Sequence, residues 1–152
     1  MAYVVKSGDG EQYWVRGNLF GFKASTREVG HGFAVVETTL HPVAAAPAHV
    51  HHETDEGVFM IQGRMLVDVG EQRLDLSAGD FAFLPRDIPH RYLPQEPGPV
   101  RTLWILSPGG YENYWRDMGI PVQRGEKPPP PTPPDPDYMA RLAAKYATEI
   151  LP

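Results

Sequence analysis

The chain has 152 residues, 41% of them hydrophobic and 22% charged, which is enough for one domain with a real core and too little for two. A net charge of −5 excludes the basic surface that nucleic acids and anionic membranes require. No apolar run approaches membrane-spanning length, the N-terminal MAYVVKSGDGEQYW lacks the apolar stretch of a secretory leader, and a cytoplasmic protein is expected. With no cysteine there are no disulfides, thiolate ligands or cysteine nucleophiles, so any metal must be held by nitrogen and oxygen.

From about residue 12 to 106, short apolar runs alternate with turn signals every 8–12 residues, the texture of a sandwich or barrel. No internal repeat is visible. Residues 32–40 are rich in β-branched and aromatic side chains, as strands prefer. Residues 58–62 and 64–69 flank Gly63, a tight turn needing positive φ. Gly70-Glu71 predicts a second hairpin into residues 73–76, where apolar and charged side chains alternate. Residues 77–80 turn into a strand at 81–84, and residues 101–106 read as the last strand. No helix is expected inside this stretch. The fold class is all-β.

After residue 107 the texture changes. Residues 111–118, closed by Gly119, suit a short helix ending on a glycine. Residues 128–136 hold seven prolines and predict an extended polyproline-II strap. Asp137 is placed to cap a final helix, with Met139, Leu142, Ala143 and Tyr146 forming one apolar stripe and the helix running through residues 142–151. That stripe needs a surface, so residues 107–152 are expected to pack back on the core as one domain spanning 1–152.

Five of the six histidines fall between residues 31 and 52, and the sixth is His90. His49 and His51 are two apart, so on a strand both imidazoles share a face. Glu56 has the opposite parity and needs a turn through residues 52–55 before it can join them. His90 comes from a distant hairpin and requires a closed barrel to bring it alongside. Three imidazoles and a carboxylate suit a first-row divalent metal with open positions for water or substrate. A His-x-His pair alone is often surface decoration, and His31, His41 and His52 are read that way; His52 faces away from His51 on a regular strand.

The spacing His49-x-His51, four residues, Glu56, six residues, Gly63, followed by Gly79, five residues, Pro85, one residue, Asp87, two residues, His90, resembles the two sequence motifs of the cupin superfamily over residues 30–106. Val43, Asp87 and Pro94 stand where that family usually has glycine, glycine and asparagine. The resemblance implies a jelly-roll barrel (double-stranded β-helix) with its core at about 12–106, a short helix after the last strand and a C-terminal helix. It also implies one divalent transition metal (Fe, Mn, Ni, Co, Cu or Zn) held by His49, His51, Glu56 and His90. The tail from Ser107 onward extends the likeness to small bacterial cupins of the quercetin 2,3-dioxygenase type. By that resemblance the chain is a dioxygenase that opens a flavonol-type ring with loss of carbon monoxide, with a small aromatic molecule and dioxygen as partners and Glu56 as both ligand and general base. A metal-dependent cyclase or isomerase, and a non-catalytic small-molecule-binding cupin, stand as alternatives. Strand parity sends Val58, Met60 and Tyr92 inward with the ligands. Phe81 and Phe83 share a face that either lines the cavity or packs outside it, and Tyr111, Tyr114 and Trp115 either lid the mouth or make a contact between copies. For each of these, plain core packing is an equal reading. Exposed aromatics and free strand edges predict a homodimer.

Overall fold

The computed structural model describes residues 1–42, 46–130 and 135–152. Val43 and the strap residues 131–134 lie outside the described residues. Twelve strands and three helices are described: β1 (Gln12–Val15), β2 (Asn18–Ala24), α1 (Thr26–Val29), β3 (Ala34–Leu40), β4 (His49–His51), β5 (Asp55–Gln62), β6 (Arg64–Val69), β7 (Gln72–Ser77), β8 (Phe81–Leu84), β9 (His90–Pro94), β10 (Val100–Ser107), α2 (Glu112–Met118), β11 (Ile120–Pro121), α3 (Pro136–Lys145) and β12 (Thr148–Ile150). They form a seven-stranded antiparallel sheet in the order β11-β1-β2-β3-β10-β5-β8 and a five-stranded one in the order β12-β4-β9-β6-β7. This is the jelly-roll arrangement expected, but the sheets are open rather than a closed barrel. Closure proves unnecessary for the histidines, because His90 pairs directly with His49 across neighbouring strands.

Period-two alternation builds the core between the sheets. Val36, Thr38 and Leu40 on β3, Val58 and Met60 on β5, Met65 and Val67 on β6, and Val100, Trp104 and Leu106 on β10 are all buried. Each large apolar side chain buried this way contributes roughly 1.5–3 kcal/mol. Gly63 (φ 85°) turns tightly as expected, but it carries the chain from β5 in one sheet to β6 in the other rather than closing a hairpin, whereas β6 and β7 do pair as the expected hairpin through Gly70 (φ 56°). Between β1 and β2, Val15 pairs with Asn18, leaving a two-residue loop of Arg16 (φ 52°) and Gly17 (φ 80°). Two positive φ values are what a type I′ turn demands, and arginine there costs about 1–2 kcal/mol relative to its ordinary backbone conformations.

Three expectations need correction, and the expected glycine after α2 is there for a packing reason. α1 falls inside the stretch expected to be free of helix; its signal was Ser25-x-x-Glu28, a capping box in which each side chain bonds the other's backbone. The cap of α3 is Asp135, whose carboxylate accepts from the Asp137 and Tyr138 N–H groups, so Asp137 lies in the first turn instead. Gly119 follows α2 but in an extended conformation (φ −80°), and it is small because a Cβ there would sit 2.7 Å from Tyr13 Cβ. The last helix ends at Lys145. Ala147 turns with φ 49°, and the β-branched pair in Thr148–Ile150 adds a strand, β12, to β4. The α3 stripe does pack: Met139, Leu142 and Ala143 are buried and Tyr146 is partly so. Among the described residues no helix is long and apolar enough to cross a membrane.

Candidate metal centre

His49 and His51 alternate on β4, His90 opens β9 beside them, and Glu56 is the second residue of β5 in the opposite sheet. The chain bends through residues 52–54 to make that crossing. One nitrogen or oxygen from each of these four residues lies within 4.8 Å of the others. His51, Glu56 and His90 are almost fully buried, and His49 is 9% exposed.

Each imidazole is oriented from behind. His49 Nδ1 donates to the Pro47 carbonyl (2.8 Å) and His90 Nδ1 to the Ile88 carbonyl (3.0 Å). His51 Nδ1 lies 2.9 Å from Thr148 Oγ1, whose own proton goes to the Tyr146 carbonyl, so the hydroxyl accepts from the ring. Carbonyls only accept, so Nδ1 carries the proton and Nε2 presents its lone pair to the centre. His51 Nε2 sits 3.3 Å and His90 Nε2 3.1 Å from the two Glu56 oxygens. Both nitrogens are buried and neither makes a hydrogen bond. Lone pairs aimed at a carboxylate in a dry site are unfavourable unless a cation lies between them. The donor set therefore fits a divalent metal. It does so without any thiolate, and its nitrogen–oxygen character suits the first-row series.

Electrostatics agree. Burial alone would raise the Glu56 carboxyl, but His51 and His90 hold it well below the usual range, so it is ionised. Burial, with the neighbouring His90 and His51, lowers His49 to about 4, leaving it neutral at pH 7. At His90 burial acts downward, yet the Glu56 carboxylate 3.1 Å away outweighs it and the net direction is up; a divalent ion between the two groups would take over that attraction and keep the imidazole neutral.

The loop that delivers His90 is tied to β4 and β5. Asp87 donates its N–H to the His51 carbonyl (2.8 Å), and Arg86 pairs with Asp55 at 2.9 Å. Asp87 has φ 64°, so it occupies the left-handed conformation that the motif's usual glycine provides, one that aspartate tolerates. His52 points away from the centre and bonds Asp87 Oδ1 at 2.7 Å. Neither His31 nor His41 belongs to the cluster.

A cavity of about 50 Å³ opens onto His49 and Glu56. Tyr92, Trp104, Tyr111, Tyr114 and Trp115 line it. Val58 and Met60 point inward but are fully buried core and do not line it. Phe81 and Phe83 are 56% and 58% exposed on the outer face, so the outside alternative holds for both. Tyr111 packs edge-on against His51 at 4.0 Å and stacks with Tyr114. Its place is fixed by the next residue: the buried Glu112 accepts from Thr26 N–H (2.8 Å), Thr26 hydroxyl (2.7 Å) and Gly110 N–H (2.6 Å). Sequence reasoning missed Thr148, because it was read as helix; the β-branched Thr-Glu-Ile after a helix end was the available signal. It also missed Arg16 and Asn18, which line the cavity.

Residues 36–106 match the family described as Cupin domain. The fold agrees: KdgF from Halomonas sp. superposes with a TM-score of 0.64 at 19% identity, covering 74% of this chain and 98% of that one. An oxalate decarboxylase from Bacillus subtilis superposes at 0.61 with 23% identity, covering 74% of this chain and 32% of that one. Motif spacing, sheet topology and the four converging side chains agree with the family match: residues 36–106 form a cupin domain, with a group of residues able to hold a metal ion. Within that class the chain is similar to quercetin 2,3-dioxygenase of Bacillus subtilis (strain 168), 30% identical over 129 residues. The match takes in 85% of this chain but only 38% of that relative's length.

Proposed function

We propose that the protein is a metal-dependent dioxygenase of the quercetin 2,3-dioxygenase type, acting on a small enolic or phenolic ring. The observation that carries this reading is the pair of unpartnered Nε2 atoms of His51 and His90 facing an ionised Glu56 at the floor of an aromatic cavity. His49, His51, Glu56 and His90 would hold the ion. When bound, a divalent metal supplies a Lewis acid for the substrate oxygen and redox chemistry with dioxygen. Glu56 accepts the proton of the substrate hydroxyl, which its charged state and buried position allow. Tyr92, Tyr111 and Trp115 flank the ring and exclude water.

A metal-dependent cyclase, isomerase or decarboxylase is favoured by one different observation. The cavity of about 50 Å³ is far below the roughly 300–1,000 Å³ common for drug-sized ligands, so a flavonol requires the mouth to widen and a smaller substrate does not. Oxygen uptake on flavonols and smaller enols by metal-loaded protein separates the two. Uptake that falls by a further factor of roughly 10²–10⁴ per bound metal in Glu56→Gln supports the dioxygenase with Glu56 as base. Turnover that persists without oxygen and with zinc supports the second reading.

We also propose a homodimer paired through the outer face, where Phe59, Phe81, Phe83 and Ile105 stand exposed beside the sheet-edge strand β8. A monomeric mass at micromolar concentration contradicts it.

A further inference from the structure

Besides the metal-facing His49 and Glu56, the cavity wall includes residues of the β1–β2 hairpin. Arg16 and Asn18 both line the cavity, on either side of Gly17. Among the described residues Arg16 makes no ion pair or hydrogen bond, although its charge acts on the hydroxyls of Tyr92 and Tyr114 that line the same space. It is the one permanently cationic side chain among the described lining residues. Asn18 is 3% exposed, and its Oδ1 accepts the His41 N–H at 2.9 Å. That bond fixes which amide atom is oxygen and leaves the NH₂ group without a protein partner among the described residues.

The backbone points the same way. A type I′ turn favours Asn-Gly or Asp-Gly, because both central residues take positive φ. Arginine at φ 52° is a poor folding choice for that position, and strain of this kind gathers where a side chain is needed for binding. The exposed Arg16 guanidinium and the free NH₂ of the buried residue Asn18, both lining the cavity, offer donors. They match a carboxylate, which accepts from both in a planar arrangement.

We propose that Arg16 and Asn18 form an anion-recognition pole, in the wall of the cavity that His49 and Glu56 also line, that selects substrates carrying a carboxylate. This rests on the reading of the cavity as the substrate site. It concerns which molecules enter, not which reaction follows.

The test uses zinc-loaded protein, with zinc content measured first and the fluorescence of Trp104 and Trp115 as the binding signal. The probes are propionate and benzoate against propionamide and benzamide. The carboxylates should bind at least about tenfold more tightly than the amides, and Arg16→Met should lose about tenfold for the carboxylates only. Arg16→Asn should lose the same affinity while raising the thermal midpoint, since asparagine suits the left-handed turn. Equal binding of amides and carboxylates, carboxylate affinity unchanged in both Arg16 variants, or no saturable binding of any probe to the zinc-loaded protein would overturn the proposal. Failure to take up zinc is a separate result that defeats the metal-centre reading.

Discussion

At the scale of single residues, the centre depends on proton placement. Each of the three imidazoles has its Nδ1 proton claimed by an acceptor outside the cluster, which is what aims Nε2 inward. Two of those acceptors are backbone carbonyls and cannot be mutated away. The third is the Thr148 hydroxyl, and it offers a clean test. Thr148→Val keeps the volume and the β-branch that suits β12 but removes the acceptor, so His51 loses its tautomer control and part of its basicity. Metal affinity, measured by competition with a chromogenic chelator, should fall about 10–100-fold while the fold persists. Unchanged affinity would mean that packing alone orients His51, through the edge-on contact with Tyr111.

At the scale of elements, the strand rules carried most of what the sequence made legible. β6 and β8 have the expected bounds, Gly63 has the expected positive φ, and the β6–β7 hairpin forms through Gly70. The placing of His49 and His51 on one strand also followed from parity alone. Three things were hidden. β12 was disguised by the alanine-rich α3 that runs into it, because helix periodicity does not announce its own end without a glycine or proline. The four-residue α1 is too short to leave a periodic pattern, and only its capping box could reveal it. The side-by-side pairing of β4 with β9 is a tertiary fact that no local pattern encodes, so a closed barrel was invoked where adjacency in one sheet suffices. Gly119 follows α2 as expected, but what requires a glycine there is clearance for packing rather than backbone conformation. Gly119→Ala is allowed by the backbone (φ −80°), yet its methyl would meet Tyr13 Cβ at 2.7 Å and the Trp115 carbonyl at 2.8 Å. Denaturant unfolding should show a loss of about 1–3 kcal/mol. A neutral or stabilising result would show that α2 can slide on β1 freely.

At the scale of the whole molecule, surface ion pairs set how the fold responds to acid. Asp68 accepts from Arg73 (2.6 and 2.9 Å) and from Arg91 (2.8 Å), and those guanidinium groups hold its carboxyl below the usual range. Asp55 beside Arg86, Asp75 beside Arg64 and Asp117 beside Lys145 shift the same way. A carboxylate whose folded pKa is depressed stabilises the fold above its unfolded value, near 3.9, and loses that contribution as pH falls through the folded value. Chelator-treated protein should therefore begin to lose its thermal midpoint below about pH 6.5, where the unfolded chain protonates a His49 that the fold keeps neutral down to about 4, with His90 acting in the opposite direction, and lose it further below pH 4 as these carboxylates protonate. Asp68→Asn should shrink that acid loss by less than about 1 kcal/mol, because the pair is solvent-screened. An acid limb identical in the variant would remove Asp68 from the account.

Behind every functional statement stands the claim that His49, His51, Glu56 and His90 hold one divalent metal. The direct measurement is elemental analysis of the purified protein, alongside the His51→Ala/His90→Ala double variant. About one first-row divalent ion per chain is expected in the wild type, recoverable after chelation, and almost none in a folded double variant. A wild-type chain that takes up no divalent metal at neutral pH, or a double variant that retains full occupancy, would contradict it.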